Sequence, residues 1–184
     1  MKPMAEKTNI QRISRASRLF IRLLQALMVL VPMADAAVWI FINDLIAPMQ
    51  KEMLPYYVRL PLPASARVLA FCVSLIPLSL FVFADATLIR LFGLYEKGLI
   101  LGADNVRCFR LLSKALIGWC LVGILTDPLM SIALTLHYPA GERMLSIGLG
   151  SPDLTALLVG GILAVITWVM DEARKLKDEQ DFTI

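Results

Sequence analysis

The sequence predicts an all-α integral membrane domain, a four-helix transmembrane bundle with both termini in the cytoplasm. Three observations predict it. Apolar residues make up 58% of the 184-residue chain and charged residues only 18%, whereas soluble domains are roughly 45–50% apolar and about 25% charged. Four long stretches carry almost no charge. Fourteen of the eighteen lysines and arginines fall in the segments that lie on one side of those stretches.

Each stretch is long enough to span. Crossing about 30 Å of hydrocarbon takes about 20 largely apolar residues, and the runs cover 19–46, 68–89, 111–136 and 154–170. They are apolar nearly all round, whereas a helix of a soluble bundle keeps a polar stripe. With their polar extensions, the helices are expected over 19–46, 68–89 continuing to 97, 104–136 and 152–177. A cytoplasmic tail is expected at 178–184, and the whole forms one domain over 1–184. The first run follows about twenty polar and basic residues. It is too long for a signal-peptide core and is followed by no small-residue cleavage site, so it reads as a retained helix.

The boundaries carry local signals. Ser151-Pro152-Asp153 opens the fourth helix with a capping hydroxyl, a proline whose missing N–H does no harm and an acid at the positive helix end. Gly98 suits the C-terminal cap of the second helix. Asp104 and Asn105 stand where the third should begin. The outer connection 47–67 contains Pro48, Pro55, Pro61 and Pro63, and its Tyr56 and Tyr57 suit a membrane–water interface. A short interfacial helix is a candidate over 49–57. The second outer connection alternates apolar and small residues over 144–149, a pattern of extended chain.

Orientation follows from the basic residues. Lys2, Lys7, Arg12, Arg15, Arg18 and Arg22 precede or open the first helix. Arg90, Lys97, Arg107, Arg110 and Lys114 flank the middle connection, and Arg174, Lys175 and Lys177 follow the fourth helix. The other side has only Lys51, Arg59, Arg67 and Arg143. The N-terminal cluster is first a topology signal. Its alternative role is as an anchor to anionic lipid. It lacks the aromatic interleaving of a nucleic-acid surface, and no direct nucleic-acid binding is expected.

Chemistry inside the membrane rests on Asp35, Asp85 and Asp127. Burying such a group mid-helix costs roughly 2.5–3.5 kcal/mol, so each is a candidate functional position. Ser113, Cys120, Gly123, Asp127 and Ser131 line one face of the third helix, which should look into the bundle. Gln25, Pro32 and Asp35 fall near one face of the first helix, and Ser74 and Asp85 near one face of the second. Asp35 and Asp127 lie at similar depth and are candidates to share a polar cavity. The structural alternative is that each acid is protonated or hydrogen-bonded for packing. Ala156, Gly160 and Ala164 form a small-residue face that serves either internal packing or self-association.

Catalytic and metal-binding patterns are missing. His137 is the single histidine, beside Tyr138 and Pro139, and no nucleophile is placed for it. No phosphate loop, HExxH or GxSxG occurs, so no enzyme activity, metal or cofactor is expected. Cys72 and Cys120 fall in apolar runs and Cys108 in a short loop. They read as reduced thiols acting as small hydrophobes.

Two stretches carry a family resemblance. One is Leu91-Phe92-Gly93-Leu94-Tyr95-Glu96-Lys97-Gly98, followed by Asn105-Val106-Arg107. The other runs from Arg143-Met144-Leu145-Ser146-Ile147 through the fourth helix to Met170-Asp171-Glu172-Ala173-Arg174 and Asp178-Glu179-Gln180-Asp181-Phe182-Thr183-Ile184. Together they resemble the bacterial membrane family catalogued as domain of unknown function 2975. The second half of the chain carries the likeness, and the first helix matches in general layout. Gly102 stands where the family commonly has Ser or Thr. The resemblance implies a four-helix bacterial inner-membrane protein without an assigned reaction. It also implies a link to small helix-turn-helix regulators, which some members look to be encoded beside.

Two functions are expected from these residues. The first is a regulatory protein that presents Tyr95, Glu96, Lys97, Asn105 and Arg107, with Glu172, Arg174, Glu179 and Asp181 of the tail, to a cytoplasmic partner such as a helix-turn-helix regulator. The second is a small transporter or channel, a homo-oligomer, lined by Asp35 and Asp127. Transporters usually carry inverted repeats, and none is detectable.

Overall fold

A computed structural model of the chain describes residues 2–45, 58–99, 102–148 and 150–181, with side chains over 11–44, 58–99, 102–148 and 150–176. The described residues form four helices and no strand: α1 (Lys2–Leu45), α2 (Ala64–Glu96), α3 (Ala103–Thr135) and α4 (Ser151–Asp181). All four are long and apolar enough to cross a membrane. The candidate interfacial helix at 49–57 and the last three residues of the tail lie outside the described residues.

The helix ends differ from expectation in instructive ways. α1 begins seventeen residues before its apolar run, because the basic segment is rich in good helix formers. Pro3 sits in its first turn, where a missing N–H is harmless. The end of α2 agrees with the expected cap. Gly98 adopts φ 77°, its N–H bonds to the Tyr95 carbonyl, and the Leu99 N–H reaches the Leu94 carbonyl. This is the Schellman pair of bonds that closes a helix through a left-handed glycine. At α4, Ser151 is already helical and is not the cap. The N–H groups of Asp153 and Leu154 point to the Gly150 carbonyl, and the Asp153 carboxylate reaches back to the Gly150 N–H at 2.9 Å. The acid rather than the hydroxyl closes this end, as in half of a capping box. α4 also continues through Asp181, so residues 178–181 extend the helix instead of beginning a tail.

Neighbouring helices run antiparallel. Arg18 meets Glu96 and Asp35 meets Ser74 between α1 and α2. Arg90 meets Asp104 between α2 and α3, and Arg110 meets Asp171 between α3 and α4. Among the described residues, close backbone approach joins only these successive pairs. The expected bundle therefore takes the form of an open row, with α2 and α3 inside and α1 and α4 at the flanks. Hydrocarbon solvates leucine as well as another helix does, so no hydrophobic force closes the ring in a bilayer. Leu23, Leu30 and Met33 of α1 accordingly face outward, as do Leu158, Val165 and Val169 of α4.

Two apolar clusters hold the row together. One, at the end away from the termini, gathers Trp39 and Ile42 of α1, Ala66 and Ala70 of α2 and Ala133 and Leu134 of α3 around Val58 and Leu62. The connecting segment thus bridges helices whose backbones stay apart. The other joins Leu91, Cys108 and Leu112 near the termini. Cys108 is buried inside α3 and not in a loop: the Asn105-Val106 segment that precedes it is already helical.

Candidate functional site

The end of the molecule that carries both termini collects three segments distant in sequence. Gln11, Ser14, Arg15 and Arg18 recur at helical spacing and so share one face of α1. With Glu96, Lys97 and Gly98 at the end of α2 they line a polar cleft of about 390 Å³. The Gly98 turn delivers Lys97 and its own backbone to this wall. The stacking of Phe20 on Phe92, with centroids 5.0 Å apart, packs the two helices just behind it. Three cations and one carboxylate line the cleft, so it favours anionic groups. Arg18 and Glu96 approach to 3.7 Å, both well exposed.

Ion pairs continue along this end. Arg90 and Asp104 lie 3.3 Å apart. Asp171 takes Arg110 of α3 at 3.7 Å and Arg174 of its own helix at 3.5 Å. Exposed pairs of this kind contribute about 0–1 kcal/mol each, so they align helices more than they stabilise them. Beyond Met170, α4 continues for eleven residues, about 16 Å of helix.

The nine expected partner-facing residues divide accordingly. Glu96 and Lys97 line the cleft, and Arg107 is exposed on α3. Glu172 is exposed and pairs with Lys175 at 3.4 Å. Tyr95 packs against the Leu91 cluster and makes an edge contact with Phe92. Arg174 turns to Asp171. Glu179 and Asp181 lie in the α4 extension, and their side chains fall outside those described. Asn105 is a correction: it is fully buried, and its Nδ2 donates to the Leu99 carbonyl at 2.8 Å. It braces the α2–α3 connection and presents nothing outward. Sequence reasoning did not join Arg15 and Arg18 to this site, although the i, i+3, i+4, i+7 spacing from Gln11 was the available signal.

The membrane-embedded acids do not converge. Asp35 Oδ2 lies 2.8 Å from Ser74 Oγ, which also accepts from Trp39 Nε1 at 3.2 Å. Asp127 lies one turn beyond Gly123 on α3, and Gly123 meets the Asp153 carboxylate of α4. α1 and α3 make no close backbone approach, so the expected cavity shared by Asp35 and Asp127 does not form. Gln25 is exposed, whereas Pro32 and Asp35 further along α1 are half-buried. Asp85 is 97% buried, with Oδ2 unpartnered among the described residues. The expected polar face of α3 does look inward: Ser113, Cys120 and Ser131 are buried. Ser131 serves the α3–α4 connection, accepting the Ser146 N–H at 3.1 Å. The small-residue face of α4 is used internally, where Ser113 Oγ donates to the Gly160 carbonyl, and is not free for self-association. No group of three metal-ligating side chains occurs among the described residues.

Four apolar helices in an antiparallel row define a multi-pass membrane protein of the all-α class. The chain belongs to the family described as protein of unknown function (DUF2975), whose model matches residues 45–184. No curated protein and no solved structure matches it.

Proposed function

We propose that the chain is a non-enzymatic regulatory protein of the bacterial inner membrane that holds a cytoplasmic protein against the end carrying its termini. Sidedness follows from the fourteen basic residues at that end against four at the other. One observation carries the reading: α1 and the end of α2 line an electropositive cleft, and the α4 extension, tied to α3 through Arg110 and Asp171, lies at the same end of the row. Such a surface suits an acidic segment of a folded partner, and a small helix-turn-helix regulator is the partner the family likeness favours. An open row supports this role as well, because α1 and α4 are each held by one neighbour and can shift to change the surface.

Site-specific photo-crosslinking in cells tests the proposal. Probes at Arg107 and Glu172 should capture a helix-turn-helix protein, and probes at Leu145 and Ile147 should not. Truncation after Met170 should abolish capture with membrane insertion intact. Capture that survives truncation and double charge removal at Arg15 and Arg18 would reject this face. The competing path lined by Asp35 and Asp127 loses its premise, since the two acids sit in different helix interfaces.

A further inference from the structure

The end of the molecule opposite the termini has a second feature that the regulatory reading does not use. Between α1 and α2 runs a groove of about 260 Å³ lined by Ala36, Trp39, Ile40, Val68 and Phe71, with Arg67 at its mouth. We propose that this groove binds one phospholipid with an anionic headgroup, its acyl chain lying along the apolar walls and its headgroup on Arg67.

Depth orders the groove as a lipid is ordered. Arg67 stands in the first turn of α2, and Phe71 lies one turn, about 6 Å, further in. The charged group is therefore at the span's end and the apolar walls run inward from it. Ile40 and Val68 are about 60% exposed, so the groove opens sideways to the surroundings. At that depth in a bilayer the available occupant is an acyl chain. Small side chains at Ala36 and Ala64 hollow the groove out. Its floor is fixed, because the Trp39 indole is buried and tied through Nε1 to Ser74, which is tied in turn to Asp35.

Arg67 supplies the selectivity. Its Nη1 donates to the Ile40 carbonyl at 3.1 Å, and its Nε is buried with no partner among the described residues. No carboxylate among those residues pairs with it. Asp44, one turn beyond Ile40, forms no ion pair with it either. A guanidinium at a membrane boundary with donors to spare is matched by phosphate oxygens, which its fork geometry suits. Lipid-recognition sites between transmembrane helices are built from such basic groups.

The reading requires that α1 and α2 span the bilayer, and the test separates the two claims. Trp119→Phe with Trp168→Phe leaves Trp39 as the single indole, in direct contact with the groove. The protein is reconstituted in phosphatidylcholine vesicles carrying a rising fraction of either brominated phosphatidylglycerol or brominated phosphatidylcholine. Trp39 should be half-quenched at an about five-fold lower fraction of the anionic lipid, the preference expected of one arginine near the surface. Arg67→Gln should remove the preference, and Arg67→Lys should keep part of it. Ala36→Leu, which fills the groove with the charge intact, should weaken quenching by both lipids. Equal half-quenching fractions in the parent would overturn the site, as would a preference that persists in Arg67→Gln or quenching unchanged by Ala36→Leu. Quenching by neither lipid would remove the membrane-spanning reading itself.

Discussion

Ser113 donates a 2.8 Å hydrogen bond to the carbonyl of Gly160 across the α3–α4 interface, and the same glycine has no room for a side chain. A Cβ there would stand 3.0 Å from Ile117 Cγ1 and 3.1 Å from the Ile117 backbone nitrogen and Leu116 Cβ. Backbone cannot move aside as a rotamer can. Gly160→Leu should therefore force α3 and α4 apart and destabilise the protein by about 1–3 kcal/mol, the usual cost of overpacking. The neighbouring Gly161 has open space around its Cβ position, and Gly161→Leu should leave stability within about 0.5 kcal/mol. Denaturant titration in detergent micelles measures both. Equal losses at the two glycines would mean that α4 is rotated relative to this arrangement.

Asn43 and Leu62 make a reciprocal contact of a different kind. The Leu62 N–H donates to Asn43 Oδ1 at 2.8 Å and Asn43 Nδ2 donates to the Leu62 carbonyl at 3.2 Å. A side-chain amide thus completes both backbone groups of a buried residue at the joint between α1 and α2. Asn43→Leu keeps the outline but strands two backbone groups, at about 1–3 kcal/mol each if they stay dry. Asn43→Asp can still accept and should lose about half as much. Hydrogen exchange at the Leu62 amide is the direct readout, and it should rise in Asn43→Leu. No change there would show that water or another group already serves Leu62.

What the sequence disclosed follows a physical division. Helix number, the Gly98 cap and the inward polar face of α3 were legible, because apolar run length, left-handed backbone and 3.6-residue spacing are local properties. Lateral neighbours were not. Depth along the membrane normal placed Asp35 and Asp127 at one level, but depth says nothing about which helices touch, and the row keeps α1 away from α3. Asn105 and Ser151 failed for a related reason. Each has the chemistry of an exposed or capping residue, and in each case a competing backbone partner decided its role: the Leu99 carbonyl for Asn105, and an Asp153–Gly150 closure that left Ser151 inside the helix. The basic cleft was hidden because its wall belongs half to α1 and half to the end of α2.

Asp85 offers a test of whether a buried acid is there for packing or for function. Its Oδ2 is buried without a partner among the described residues, and an unmet polar atom of this kind costs about 1–3 kcal/mol. Leucine has the same branched outline at Cγ and no polar atoms. Asp85→Leu should consequently raise the stability of the solubilised protein or leave it unchanged, while Asp85→Asn, which stays polar, should not raise it. A clear loss in Asp85→Leu would show that the carboxyl has a partner in the membrane and belongs to the working parts of the protein. Stability with and without the substitution can be compared by thermal unfolding in micelles.

The α3–α4 connection shows how two side chains can position a segment with no regular structure. Ser131 and Thr135, one turn apart on α3, accept the N–H groups of Ser146 and Met144 at 3.1 and 3.2 Å. Those two amides are two residues apart, which is the repeat of an extended chain, so the alternation seen over 144–149 has its counterpart in the latch. Both hydroxyls also donate inward to their own helix, to the Pro128 and Ser131 carbonyls. They are satisfied whether or not the connection is seated, and the connection depends on them rather than the reverse. Ser131→Ala with Thr135→Val should speed hydrogen exchange at Met144 and Ser146 by about five- to ten-fold, each lost bond contributing about 1 kcal/mol. Thr126→Val is the matched control, since among the described residues Thr126 Oγ1 bonds only within α3, and its removal should leave those amides unchanged. If the double variant exchanges at the parent rate, the segment is held by its apolar side chains and not by the hydroxyls. Ser131 would then regain its standing as a polar group available to the membrane interior.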